Sequence, residues 1–406
     1  MPLRRLLALI GIAVVAACAG SGDSAGSFTV TDSAGVEIAV STRPQWRESG
    51  GWSIDPKPAL EIGVEEGEEP YMLSRVFDAL RLPDGRILVG NSSTSEIRVF
   101  DAEGKFVQSV GRKGNGPGEF GELSSVRFWR LPDGSLLGYD GGNLRVHHFD
   151  STLAYQRTVR IESTGDGLRA FLQGVFGDGS WQMLALVPEL KNEPGTYLRS
   201  AQQFVRFHPD GTPDTTLRRV EGRMRFVHQF GSITHFPFVP FTAEPLAAAA
   251  GEHFWVVSGG GTELERRDLQ GNLVRVVRLT RDDVPRTADV YARYVESSLA
   301  TMDSTRRAQY EHFYGLNHPL PERVPAYQAM LVDGTSHVWL ERFRLPGDTM
   351  PRWDVVAPDG RWLGAVAVPP RLRVMQVGSD FVLGRHLDSL GVERIRVHRL
   401  VANSNP

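Results

Sequence analysis

Eleven histidines are the first place to seek chemistry in this chain, and their spacing does not favour it. They stand at 147, 148, 208, 228, 235, 253, 312, 318, 337, 386 and 398. None pairs at metal-ligand spacing on one helix, and His147 and His148 adjoin on a strand pattern, which sends their side chains to opposite faces. Most are expected to decorate strand surfaces and loops. The pattern Gly22-Asp23-Ser24-Ala25-Gly26 matches a nucleophile elbow by letter only. An elbow needs a strand before the serine and a helix after it, and this stretch is Gly/Ser-rich with neither. A zinc-protease helix motif and a phosphate-binding loop are absent. Catalytic residues are therefore not assigned. A second set is more coherent. Counting back six residues from three turn aspartates, Asp84, Asp133 and Asp333, reaches Asp78, Arg127 and Tyr327. Arg75, Arg169, Gln173 and Gln328 stand at comparable places. The set holds one carboxylate, whereas a hard cation wants several oxygen ligands. It suits an anionic or polar small molecule better than a metal. The plainer reading is a row of polar side chains facing water.

These residues need elements to position them, and the sequence repeats. Leu82-Pro83-Asp84-Gly85 and Leu131-Pro132-Asp133-Gly134 are turn formers: Pro presets φ, Asp bonds its own backbone, and Gly ends the turn. Each precedes an apolar run, then an alternating strand such as Glu96-Ile97-Arg98-Val99-Phe100. Alternation puts Ile97 and Val99 on one face and Glu96 and Arg98 on the other. Weaker copies begin at 178, 251, 333 and 378. The spacings are 49, 45, 73, 82 and 45, so the base period is near 45 residues, the length of a four-stranded sheet unit. Such a unit cannot bury both faces alone and must stack radially. The reading is all-β: a single six-bladed β-propeller with four-stranded blades over 28–406. The last unit has three clear strands, and Leu60-Glu61-Ile62 is placed to supply its fourth. The long spacings predict insertions at about 186–202 with 218–240 and at 280–324. From Asp289 to Tyr314 the pattern turns helical, with Tyr291, Val295, Leu299 and Met302 on one stripe. This predicts a helical hairpin flanking the ring, or more sharply a lid or partner-binding arm. His235-Phe236-Pro237-Phe238-Val239-Pro240-Phe241 reads either as a loop pinned by its aromatics or as an exposed contact.

Composition narrows the setting. Hydrophobic residues make up 41% and charged residues 23%, enough for a real core. The formal charge is −3, and −5 once Arg4 and Arg5 leave with residues 1–17, so nothing points to nucleic acid. A single cysteine excludes an internal disulfide and a multi-cysteine metal site. It stands at 18, after the basic pair and the apolar run Leu6 to Val15, a signal-peptide layout too short to span a bilayer. Val15-Ala16-Ala17-Cys18 resembles the lipobox of bacterial lipoproteins. The resemblance implies cleavage after residue 17, acylation of Cys18, a tether over 18–27 and, with Ala19 following, an outer-membrane address in the cell envelope. An ordinary secretory signal with a chance cysteine is the alternative, and Arg4-Arg5 leaves a twin-arginine signal open.

Gly111-Arg112-Lys113-Gly114-Asn115-Gly116-Pro117-Gly118-Glu119-Phe120 resembles the blade connection of NHL repeats. With the hairpin-like start Thr31 to Val36, the chain is similar to six-bladed propeller lipoproteins of bacterial envelopes over about 28–400. That family implies a fold, not an activity, because such propellers host lyases, lactonases, sensors and scaffolds. The expected function is an envelope-anchored binding or scaffold propeller, non-enzymatic and without cofactor. It would meet the membrane through its anchor only and recognise an envelope protein or a small polar ligand. The seven residues Arg75, Asp78, Arg127, Arg169, Gln173, Tyr327 and Gln328 would stand at its channel mouth. The alternative is a metal-dependent lactonase or lyase of the gluconolactonase-like type, with calcium or zinc held there.

Overall fold

The computed structural model describes residues 27–46, 50–122, 125–188 and 193–403. The expected signal peptide over 1–17, Cys18 and all but Ser27 of the expected tether over 18–27 lie outside them, as does the Gly-x-Ser-x-Gly stretch.

Six antiparallel sheets follow one another along the chain. Blade 1 comprises Val76–Arg81, Ile87–Asn91, Glu96–Phe100 and Phe106–Val110. Blade 2 runs from Val126–Arg130 to Tyr155–Arg160, and blade 3 from Ala170–Val175 to Pro213–Glu221. Blade 4 spans Leu246–Ala250 to Leu273–Leu279, and blade 5 Tyr327–Val332 to Trp362–Ala367. Blade 6 contributes Leu372–Val377, Phe381–Leu387 and Glu393–Asn403.

The turns behave as their residues require. The Leu82 N–H donates to the Arg86 carbonyl and the Asp84 carboxylate accepts from the Arg86 N–H. Gly85 takes φ +91°, which only glycine adopts without strain.

Apolar side chains gather in six clusters, each shared by two neighbouring blades. The cluster of Val76, Ile87, Val89, Leu383 and Ile395 joins blade 6 to blade 1, which closes the ring. Strands inside a blade are therefore buried on both faces, as in Ile87–Asn91. The alternation of Ile97 and Val99 against Glu96 and Arg98 holds, but the opposite face is covered too, and Arg98 is 1% exposed.

Closure uses the predicted segment. Leu60–Ile62 pairs antiparallel with Glu393–Asn403, Ile62 opposite Ile395, and the Glu61 carboxylate bonds Arg396 at 2.6 Å. Gly51–Ile54 pairs further along the same strand. Ile62 is 2% exposed at the closing interface. Ile62→Ala is expected to lower unfolding stability by about 2–4 kcal/mol, read from denaturant midpoints.

The hairpin Phe28–Ser33 with Val36–Ser41 lies elsewhere. Val36–Ser41 runs parallel to Leu273–Leu279 and extends blade 4 to six strands.

The insertions fall where the spacings put them, and all leave from one face of the ring. This is the face of the blade-to-blade connections and of the loops between second and third strands. Tyr197–Leu198 pairs with Arg225–Phe226, His228–Phe230 with Ile233–His235, and two helices span Ala288–Ala300 and Ser304–Tyr314. Thr287 and Asp303 cap the helices by accepting backbone N–H bonds. The 218–240 and 280–324 insertions share a core of their own around Phe226, Val239 and Phe313, and the Tyr197 ring packs against Phe226. The aromatic stretch is divided: Val239 and Phe241 are buried, whereas Phe236 and Phe238 are exposed.

Candidate functional site

The channel mouth gathers three of the expected residues. Asp78 lies on the innermost strand of blade 1, and its carboxylate accepts the Phe128 N–H of blade 2 at 3.0 Å. Arg127 occupies the matching place in blade 2. Its Nη1 donates to the Leu172 carbonyl and to Gln173 Oε1 of blade 3, each at 3.4 Å, and its guanidinium stands 5.0 Å from the Trp129 ring centroid. Burial pushes the Asp78 carboxyl above its usual range, and the charges of Arg127 and Arg373 oppose that. Arg373, on the innermost strand of blade 6, is reached by water yet surrounded by protein. Burial and repulsion from Arg385 and Arg127 hold its guanidinium below the ordinary value.

Arg127, Gln173 and Arg373 line a cavity of about 610 Å³ with Phe77, Phe171 and Tyr139. The Tyr139 hydroxyl is buried without a hydrogen bond of good geometry, and burial raises it to about 12. No ion pair within 4.0 Å is made by Arg127 or Arg373 among the described residues. A charged donor pair beside aromatic walls can hold an anion: the guanidiniums supply directed N–H groups and the rings cover an apolar body.

The other four expected residues are not brought there. Arg75 and Arg169 are exposed and do not line the cavity. Arg75 takes φ +55° where blade 1 begins. Gln328 is used locally, its Oε1 accepting the Arg344 N–H at 3.1 Å. Tyr327 is 3% exposed inside the blade 4–blade 5 core, its ring 5.0 Å below the Arg281 guanidinium. The count from the turn fails here for a definite reason. In blades 1 and 2 the turn-closing N–H belongs to Leu82 and Leu131, two residues before the aspartate, but in blade 5 to Asp333 itself. The register therefore shifts by two, and Ala329 takes the place expected of Tyr327. Arg373 escaped notice because its unit turns at Gly378-Ser379-Asp380, a shorter turn closed at Gly378, from whose aspartate the same count reaches Val374 instead.

A larger hollow of about 780 Å³ lies between the Ser258 to Gly261 loop and the insertion ends. Three of its four arginines are already answered: Arg199 by Glu221 at 2.7 Å, Arg218 by Glu265 at 2.8 Å and Arg323 by Asp283. It is the weaker anion site despite its size.

Of the adjacent pair, His147 is buried, and its Nε2 donates to the Glu119 carbonyl at 2.8 Å. Folding also joins three histidines that the sequence keeps apart. His228 Nδ1 lies 2.5 Å from His235 Nε2, and His228 Nε2 lies 2.6 Å from His312 Nδ1. Each neutral imidazole can donate once and accept once, so the three form a directed chain. His228 turns opposite nitrogens to its partners, so no single point is common to all three. Among the described residues no group of three or more His, Cys, Asp or Glu is arranged to hold a metal ion. Calcium or zinc is not fitted by these residues.

Burial, then the neighbouring His235, His312 and His318, push the His228 imidazole down to about 4. The unfolded chain takes up this proton near pH 6.5, the folded chain only near 4. Stability is therefore expected to fall as pH drops through that window. Thermal midpoints at about pH 7 and about pH 5 should show the drop, and His228→Phe should reduce it. His235 and His318, also depressed by burial, leave a residual slope.

Comparison with known proteins agrees on architecture. A family model described as "6-bladed beta-propeller" matches residues 72–128. None of the curated proteins compared matches the chain. Among solved structures, a Bacteroides fragilis protein described as exported is similar at 12% identity and TM-score 0.47, over 90% of this chain and all of that one. A Xanthomonas campestris gluconolactonase reaches 11% and 0.43, over 81% and 87%. A virginiamycin B lyase from Staphylococcus aureus reaches 10% and 0.40, over 88% and 97%. These are likenesses of chain path, and the fold rests on the six blades themselves.

Proposed function

We propose that this six-bladed propeller is an anchored binding protein of the bacterial envelope whose channel mouth holds a small anion with an apolar body. The observation that carries the reading is the Arg127–Arg373 pair. Two guanidiniums crowd one cavity without a carboxylate in contact, and an anion between them would relieve their repulsion. Phe77, Phe171 and Tyr139 would cover its apolar part. Asp78 holds blades 1 and 2 together rather than meeting the ligand. The envelope setting is supported by the basic pair, apolar run and Val-Ala-Ala-Cys at 4–18.

The test is calorimetric titration with 2-naphthoate, an aromatic carboxylate, against naphthalene methanol as its uncharged counterpart. Saturable binding of the acid alone supports the reading. Equal binding of both, or of neither, overturns it.

A further inference from the structure

We propose that the insertion-bearing face of the ring is turned toward an anionic lipid surface and touches it through Phe236 and Phe238, flanked by Arg223 and Arg225. Two independent observations lead there.

The first is where the chain enters the fold. The Thr42 N–H donates to the Ser27 carbonyl at 2.9 Å, Phe28 lies opposite Ser41, and Ser41 pairs with Leu279. The Thr280 N–H donates to the Ser41 carbonyl at 2.8 Å. Ser27 thus lies beside the point from which the 280–324 insertion departs, on the face that carries the channel mouth. Cys18 precedes Ser27 by nine residues. At full extension that chain reaches about 30 Å. An acylated Cys18 would therefore keep this face, not the opposite one, close to the bilayer.

The second is what this face exposes. Residues 224–239 form an irregular hairpin, in which Phe226 N–H donates to the Pro237 carbonyl and Val239 N–H to the Met224 carbonyl. Alternation sends Phe226 and Val239 into the insertion core and leaves Phe236 and Phe238 40% and 38% exposed. The Arg223 and Arg225 guanidiniums stand 4.5 and 4.7 Å from the Phe238 ring centroid. Aromatics backed by cations match the boundary between acyl chains and anionic headgroups. The tether length decides for a lipid surface over a soluble partner.

The tether argument rests on the anchored reading above; the surface is tested without it. Residues 27–406 hold every described element and no cysteine. Single cysteines at Thr234→Cys, on this hairpin, and Ala102→Cys, on a turn of the opposite face, are labelled with an environment-sensitive dye. Vesicles are phosphatidylcholine alone or mixed with phosphatidylglycerol. With the mixed vesicles the dye at 234 is expected to shift to the blue and the dye at 102 to stay unchanged. F236S/F238S should lower vesicle partitioning on the order of tenfold with an unchanged thermal midpoint. Should that variant lose stability, R223E/R225E supplies the same loss through charge. Vesicle binding is read with no channel ligand present, so failure of the channel reading leaves this one standing. No shift at 234, equal shifts at both positions, or undiminished binding by both hairpin variants overturns the proposal.

Discussion

R127E/R373E is expected to lose binding of 2-naphthoate by on the order of a hundredfold or more, with R127Q alone losing about tenfold. Each charge reversal puts a carboxylate where the ligand's own would sit. Residues of blades 1, 2, 3 and 6 line the cavity, which opens to solvent, so added salt is expected to weaken the contact. Asp78 sharpens the effect. Its buried carboxyl already stands above its usual range while two nearby cations draw it down, and the double variant replaces both with like charges. Stability should therefore be followed alongside binding, and R127Q, which adds no anion, separates the two. R75E/R169E is the matching control: both residues are exposed and off the cavity, so binding should be unchanged. Retained affinity in R127E/R373E would remove the channel pair from any account of recognition.

Arg98→Leu is expected to destabilise the fold by about 3–5 kcal/mol, measured from denaturant midpoints. Arg98 lies in the third strand of blade 1 and is 1% exposed. Its Nη1 donates to the carbonyls of Glu69, Pro70 and Met72 at 2.8–2.9 Å, Nε bonds the Glu96 carboxylate at 2.9 Å, and Nη2 bonds Glu69. One guanidinium thus pins the segment by which the chain enters blade 1. Leucine would remove every one of these bonds, leaving Glu96 its bond from the Thr94 hydroxyl and the Glu69 carbonyl that from the Met72 N–H. Arg98→Lys should recover only part of the loss, because an ammonium cannot span the same fan of acceptors. Protease sensitivity near residues 65–72 should rise in both variants.

Arg145 repeats the device in blade 2. Its Nε bonds Asp140 at 2.8 Å, while its Nη1 and Nη2 reach the Asn115 and Glu119 carbonyls at 2.7 and 2.8 Å. The Gly-rich connection 111–120 is thereby held between blades rather than opened to a ligand. Gly111 shows why small residues recur there: at φ +76°, an added Cβ would lie 2.5 Å from the Phe120 ring.

Much of this was legible beforehand. Turn aspartates and glycines marked the unit starts, because local dihedrals and side chain-to-backbone bonds act over a few residues. Period-two patterning then separated strands from the helical insertion, and the shortage of a strand at the C-terminus pointed to Leu60–Ile62 for closure. Thr287 and Asp303 fit the same local rules.

The site was only partly legible. Asp78 and Arg127 were reached by counting, since blades 1 and 2 share one turn type, and Gln173 was named beside them as an inner-strand position. Tyr327 was misplaced because the blade 5 turn closes at Asp333 and shifts the register by two. Arg373, the Arg98 clamp and the His228–His235–His312 chain carry no local mark at all.

The sequence by itself therefore determined the repeat, the number of blades and the places of the insertions, since each follows from short-range backbone preference and strand patterning. Only the tertiary structure decided which arginines meet in the channel, which are buried between blades, and on which face the chain enters. Those outcomes depend on contacts between residues tens to hundreds of positions apart, whose partners are chosen by packing rather than by anything local to them.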